Sequence, residues 1–259
     1  MRIHVALGPA EYAGAPLEDR AVLVVDVIRA STTVVAACAA GCRRILPVRD
    51  RETAVARKRA LEGVDALLGG ERNGETIAGF DLGNSPLEYT EERVSGRTVV
   101  LTTSNGTAAM LEAGRAAVAA VAALTNVEAA ARWAGDRGLD LTVLCAGEAG
   151  QVSLEDVVCA GLIVDVLAGS GVAVEATDAA TTARRAAGFY AERLPRLAED
   201  SRWARRLVER GRGADVAACL RRAGLGHVPE IRAGAIVLDG DPAEGARRPG
   251  RIGAAEASA

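Results

Sequence analysis

The sequence predicts a three-layer α/β/α fold with a mixed, largely parallel sheet, whose helical C-terminal part is closed by a β-hairpin. Two observations carry this. A unit of apolar strand, polar turn and capped helix recurs from Val22, Thr98 and Leu141, and strands that alternate with helices favour parallel pairing. From Asp178 onward the chain reads as helices over 179–194, 201–210 and 215–222, followed by apolar runs at 228–231 and 235–238 joined through Arg232-Ala233-Gly234. One compact α/β domain is expected over 1–239, as a single body or as two lobes with a site between them. Residues 240–259 lack apolar periodicity and are expected to form a disordered tail.

Taken in order, residues 2–7 alternate as an edge strand would, and 8–16 read as loop. Val22 to Val25 is a short β-branched and Leu run suited to a buried strand, ended by Asp26. Ser31 or Thr32 is placed to cap a helix that stops at Gly41. Strands are expected at 44–48 and 66–68, with a helix capped by Asp50 between them. The segment GGERNGETIAGFDLGNSPLEY has almost no apolar periodicity and ends in Ser85-Pro86-Leu87-Glu88, a capping-box pattern. Strand 98–102 runs into TTSNGT and a helix, 118–122 is a strand, Asn126 caps a helix to 137, and 141–144 is a strand. Ser153 to Asp156 is a second capping box, opening a helix whose remainder, 157–167, is nearly all apolar.

Composition excludes several functions. The 259-residue chain has a formal net charge of −3 and only 3% aromatic residues, so it offers neither a basic face nor stacking platforms for nucleic acid. Packing must rely on small side chains and closely approaching helices, which also suits a homodimer. The N-terminus lacks a signal-peptide pattern and no apolar run approaches the roughly 18 residues of a spanning helix. A soluble cytoplasmic protein with no membrane partner is expected. Cys38, Cys42, Cys145, Cys159 and Cys219 show no zinc spacing and read as free thiols. His4 and His227 are the two histidines, too few for a hydrolytic triad or a His-ligated zinc site.

The polar turns at strand ends carry the chemistry. Asp26, Arg29, Ser31 and Thr32 bring a carboxylate, a guanidinium, hydroxyls and helix N–H groups to one spot, as an oxyanion site needs. The alternative is a plain Asp26–Arg29 salt bridge at the strand end. Thr103, Ser104, Asn105, Gly106 and Thr107 form a second candidate cradle, where glycine lets backbone approach a ligand. Glu71 and Arg72 follow a buried strand, Asn84 and Ser85 end the same long segment, and Cys145 and Ser153 flank the third turn. Glu155 and Asp156 lie in a first helical turn, which the helix dipole also favours without any metal. A cysteine phosphatase is excluded because Gln151, not arginine, stands six positions after Cys145. The haloacid-dehalogenase pair is missing because Ile28 follows Asp26 at the second position.

The stretches VVDVIRASTT, GERNG, GFDLGNSPLEY, TTSNGT, CAG and SLEDVVCAG, with weaker matches at 215–219 and at Val228-Pro229, occur in an order that resembles the 2-phosphosulfolactate phosphatase family of the coenzyme M pathway. The resemblance spans about residues 20–240. It implies an α/β/α catalytic domain and magnesium-dependent hydrolysis of a phosphate monoester on a small sulfonated hydroxy acid. Where a Ser-x-His-Gly-like sequence is expected, this chain has Ser201-Arg202-Trp203-Ala204, which puts the substrate's identity in question. By residue type, Asp26, Arg29, Glu71 and Arg72 are the catalytic candidates. Ser31, Thr32, Asn84, Ser85, Thr103, Asn105, Gly106, Thr107, Cys145 and Ser153 are candidates for holding the anionic substrate. Asp26, Glu71, Glu155 and Asp156 are the candidate magnesium ligands, since magnesium takes oxygen donors and keeps several waters. Asp26 is the preferred group to attack phosphorus or to align water. The same cradles would also serve a phosphatase for another phosphorylated hydroxy acid, or a non-catalytic binding protein for an anionic metabolite.

Overall fold

A computed structural model describes residues 1–238, so the expected tail at 240–259 lies outside the described residues. The strands are β1 (Arg2–Ala6), β2 (Ala21–Val25), β3 (Arg44–Pro47), β4 (Ala66–Arg72), β5 (Glu75–Thr76), β6 (Thr98–Thr102), β7 (Val118–Ala122), β8 (Leu141–Cys145), β9 (Glu175–Ala176), β10 (Glu230–Arg232) and β11 (Ala235–Val237). The helices are α1 (Ala30–Ala39), α2 (Arg51–Arg59), α3 (Glu91–Val94), α4 (Gly106–Glu112), α5 (Val127–Asp136), α6 (Leu154–Gly169), α7 (Asp178–Tyr190), α8 (Leu197–Asp200), α9 (Arg202–Glu209) and α10 (Gly213–Cys219).

All strands join one sheet in the order β5-β4-β6-β3-β11-β10-β7-β2-β8-β1-β9. Two parallel blocks, β4-β6-β3 and β7-β2-β8-β1, are stitched together by the antiparallel hairpin β10–β11, which pairs with β7 on one side and β3 on the other. The predicted C-terminal hairpin therefore exists, and it occupies the middle of the sheet. β1 departs from the edge position expected of it, because the short β9 pairs along its outer side.

Side-chain alternation along a strand sends successive residues to opposite faces, and β2 shows it without a break. Ala21, Leu23 and Val25 join the core under α5, α6 and α7, while Val22 and Val24 join the core under α1 and α4. On the other block, Ile45, Val99 and Leu101 face the α1 side, and Leu46, Val100 and Leu68 pack under α2. The three layers follow from this alternation. Small residues let helices close up as composition suggested: a Cβ on Gly161 of α6 would lie 2.0 Å from the Ala183 carbonyl oxygen of α7.

Several local expectations are corrected. α1 begins at Ala30, so Ser31 and Thr32 lie inside it and Arg29 holds the N-cap position. Asp26 instead accepts from the Ala30 N–H (3.2 Å), which frees the two hydroxyls for the loop backbone. Ser85 accepts from Leu87 N–H at 3.2 Å, but Glu88 accepts from Gly83 N–H, not from Ser85, and only one 3-10 turn forms over Pro86–Glu88. Ser153 holds the N-cap position of α6 without a side-chain cap bond. Residues Pro9–Gly14, read as loop, form a 3-10 turn. Asp50 does cap α2, accepting from Thr53 N–H at 2.7 Å.

Candidate active site

A cavity of about 240 Å³ opens where the C-terminal ends of β2, β4 and β6 meet α9, lined by Asp26, Arg29, Glu71, Asn84, Asn105 and Trp203 among others. Open α/β sheets bind ligands outside the carboxyl ends of their strands, so the position agrees with the topology.

Asp26 ends β2 and is 7% exposed. Its Oδ1 is held by Ala30 N–H, and Ser31 fixes the backbone beneath it by accepting from Asp26 N–H (2.9 Å) and donating to the Val24 carbonyl (3.3 Å). Oδ2 faces Gly106, the first residue of α4: a Cβ there would lie 2.5 Å from Oδ2 and 2.5 Å from the Ala30 Cβ. Glycine at 106 thus lets two helix starts, one from each parallel block, approach the same carboxylate. Burial, together with the Glu71 and Glu155 charges, raises the Asp26 carboxyl to about 7, against the pull of the Ala30 N–H and of Arg29.

Arg29 does not pair with Asp26 in the manner of a simple strand-end salt bridge. Its Nη1 donates to Asp215 of α10 at 2.6 Å and its Nη2 to the Gly74 carbonyl at 2.7 Å. Asp215 also accepts from Ser85 Oγ at 2.6 Å, so one buried carboxylate ties α10 to both Arg29 and the 84–86 segment. Glu71, at the end of β4, accepts from Gly74 N–H, Ser104 N–H and Ser104 Oγ. These bonds fix its orientation while it lines the cavity. Asn84 also lines the cavity, and its buried Oδ1 has no hydrogen-bond partner.

The remaining candidates stand behind this lining. Thr32 donates to the Val27 carbonyl, and Thr103 and Thr107 cap one another reciprocally, each hydroxyl accepting the other's N–H at 3.1 Å. Asn105 and Ser104 are the members of that turn that reach the cavity. Arg72 points elsewhere, donating to the Glu71 and Arg49 carbonyls and to Thr102 Oγ1. Asp156 accepts from Val27 N–H (2.7 Å) and Gly147 N–H (3.0 Å), holding two loops together. Glu155 is 1% exposed with Oε2 unpartnered. Burial raises the carboxyl of both, reinforced in Asp156 by the Asp26 and Glu155 charges. Neither lines the cavity, nor do Cys145, Ser85 and Ser153. Among the described residues no group of three or more His, Cys, Asp or Glu forms a ready metal cluster, so a cation here would be held by one or two carboxylates and water.

Residue-type reasoning left Asp215, Glu148 and Arg206 out of the site. Asp215 is 186 positions from Arg29, and its signal, an acid in the first turn of a short helix, is common. Glu148 and Arg206 line the cavity but read in sequence as ordinary solvated charges. Trp203, singled out as a departure, is a wall of the cavity, its Nε1 donating to the Ile28 carbonyl at 3.0 Å.

Comparison with known proteins gives one answer. The family model for 2-phosphosulpholactate phosphatase matches residues 8–234. A probable 2-phosphosulfolactate phosphatase of Symbiobacterium thermophilum is 38% identical over 234 residues, covering 90% of this chain and 99% of the relative. One of Clostridium acetobutylicum is 32% identical, covering 92% of this chain and all of the relative. A third, of Carboxydothermus hydrogenoformans, is 41% identical over 168 residues, covering 65% and 68%. The family model covers most of the chain and the relatives extend over nearly all of it, and the chain belongs to the 2-phosphosulfolactate phosphatase family.

Proposed function

We propose that this protein hydrolyses the phosphate monoester of 2-phospho-3-sulfolactate, giving 3-sulfolactate and phosphate, with magnesium as cofactor. The family is one of phosphatases, which are phosphoric monoester hydrolases, and the substrate its relatives are named for motivates the finer reading. The observation that carries it is the Asp26 carboxylate, buried at the cavity floor with Oδ2 free of protein partners and kept open by Gly106.

The donor set suits magnesium: Asp26 and Glu71 both line the cavity, and this ion needs only one or two carboxylates plus water. Bound there, it would neutralise charge on the phosphoryl oxygens. The chain's own groups supply the rest. Arg29, immobilised by Asp215 and Gly74, directs its remaining N–H groups as a fixed donor for an oxyanion. Asn84 offers a buried amide with an unused acceptor, and Asn105 a second polar side chain. A carboxyl raised to about 7 is poised to exchange a proton near neutral pH. Asp26 in its carboxylate form therefore acts at phosphorus from Oδ2, either orienting a water whose oxygen forms the new P–O bond or forming an aspartyl phosphate that water then hydrolyses; on both routes the P–O bond to the hydroxy acid breaks, the leaving oxygen takes a proton from water, and phosphate is released.

A second substrate is favoured by a specific observation: Trp203 lines the cavity where histidine was expected, so another small phosphorylated hydroxy acid is the competing reading. The test is phosphate release from 2-phosphosulfolactate, phospholactate and phosphoglycerate, with magnesium and with chelator. Magnesium-dependent release fastest on the sulfonated compound supports the first reading. Faster release from another member moves the substrate, and no release from any refutes the phosphatase.

A further inference from the structure

The inner cavity carries Asp26, Glu71 and Glu148 against two arginines, Arg29 and Arg206. These arginines differ in kind. Arg29 is buried and neutralised by Asp215 at 2.6 Å, whereas the Arg206 guanidinium, on α9, makes no hydrogen bond or ion pair with any described residue. Its guanidinium lies 6.0 Å from the centre of the Trp203 ring, one helical turn back on α9, where the i, i+3 spacing puts both on one face. Trp203 is itself pinned by its bond to the Ile28 carbonyl. Arg206 and Trp203 also line a second, outer cavity with Glu148, Arg202, Arg205 and Glu209. Arg206 thus stands at the boundary between the site's floor and its mouth.

An anion whose phosphate lies against Asp26 must have its far end balanced by something. An arginine above an aromatic ring is a suitable receptor, because its planar fork matches carboxylate and sulfonate oxygens and the ring restricts where it can go. We propose that Arg206 is a specificity-determining residue of this site, receiving the second anionic group, carboxylate or sulfonate, of a small phosphorylated acid. This rests on the phosphatase reading above and adds which side chain selects the substrate.

The test compares wild type, Arg206→Gln and Arg206→Lys on 2-phosphosulfolactate, phospholactate and glycerol 2-phosphate, the last having no second anionic group. A charge-assisted hydrogen-bond pair corresponds to roughly 10- to 100-fold. Arg206→Gln should therefore lose at least about ten-fold more kcat/KM on the two acids than on glycerol 2-phosphate, chiefly through KM, and Arg206→Lys should recover part of it. Equal losses on all three, or none, would overturn the assignment. Calorimetric titration with 3-sulfolactate and with inorganic phosphate gives a readout independent of turnover. Sulfolactate binding should weaken far more than phosphate binding in Arg206→Gln; equal weakening, or no binding of sulfolactate to wild type, also overturns it. Absence of turnover in wild type with discriminating binding would refute the phosphatase while leaving the Arg206 assignment standing.

Discussion

Replacing Asp26 by Asn should stabilise the metal-free protein while abolishing turnover. The carboxyl's ordinary value is 3.8 and burial raises it to about 7 in the folded chain. The sign follows from linkage. Below pH 4 the group is protonated in both states and has no effect. Between 4 and 7 the folded state holds a proton that the unfolded state has lost, and above 7 the folded state must carry a buried anion. Stability therefore falls as pH rises through this window. At about 1.4 kcal/mol per unit the full penalty is roughly 4 kcal/mol at pH 8, and an upper bound, since Glu71 and Glu155 share it. Asn is isosteric, can still accept from Ala30 N–H, and carries no charge. Urea unfolding of both proteins in chelator should show the variant's advantage widening by about 2 to 3 kcal/mol between pH 5 and pH 8. Magnesium should then raise wild-type stability and leave the variant's unchanged. An advantage that does not grow with pH, or a variant less stable than wild type at pH 8, would refute the account of this carboxylate.

Other changes probe the surrounding framework. Gly106→Ala places a methyl group 2.5 Å from both Asp26 Oδ2 and the Ala30 Cβ; thermal unfolding should show a loss of about 1–3 kcal/mol, and the displaced carboxylate should lower kcat about 100-fold. Asp215→Ala leaves Arg29 buried without its counter-ion, which should cost about 3–5 kcal/mol; Asp215→Asn, keeping one acceptor, should fall between it and wild type in the same unfolding assay. The five cysteines are free and buried, and burial pushes the Cys145 thiol well above its usual value. Thiol reagents at pH 8 should leave the folded protein unmodified and active, with all five groups appearing on denaturation; rapid loss of activity with one thiol labelled would contradict this.

The parts of the structure visible in the sequence were those governed by local rules. Strand lengths at β6 and β7 and the Asp50 cap follow from neighbouring residues, and so does the placing of Asp26 and of Glu71 each at a strand end; the hairpin turns through Ala233-Gly234, one residue shorter than expected, with Arg232 paired in β10. The hairpin's place between β3 and β7 depends on partners more than a hundred residues away, which no local pattern encodes. The polar turns were rich in hydroxyls for a reason other than ligand binding. Ser31, Thr32, Thr103 and Thr107 hold loop backbone and one another, and so support the carboxylate and amide groups that line the cavity. Asp215 and Arg206 escaped notice because helix-borne charges are ordinarily solvated; only the tertiary fold makes one a buried counter-ion and the other an unpaired cation at a cavity mouth.

The role of Asp26 is tested by comparing wild type and Asp26→Asn for phosphate release from 2-phosphosulfolactate in magnesium, alongside 3-sulfolactate binding to each. Wild type should release phosphate, the variant should lose at least about a thousand-fold, and sulfolactate binding should be retained within about ten-fold. A variant that still turns over at a tenth of the wild-type rate or better, or a wild type that binds sulfolactate and releases no phosphate, would contradict it.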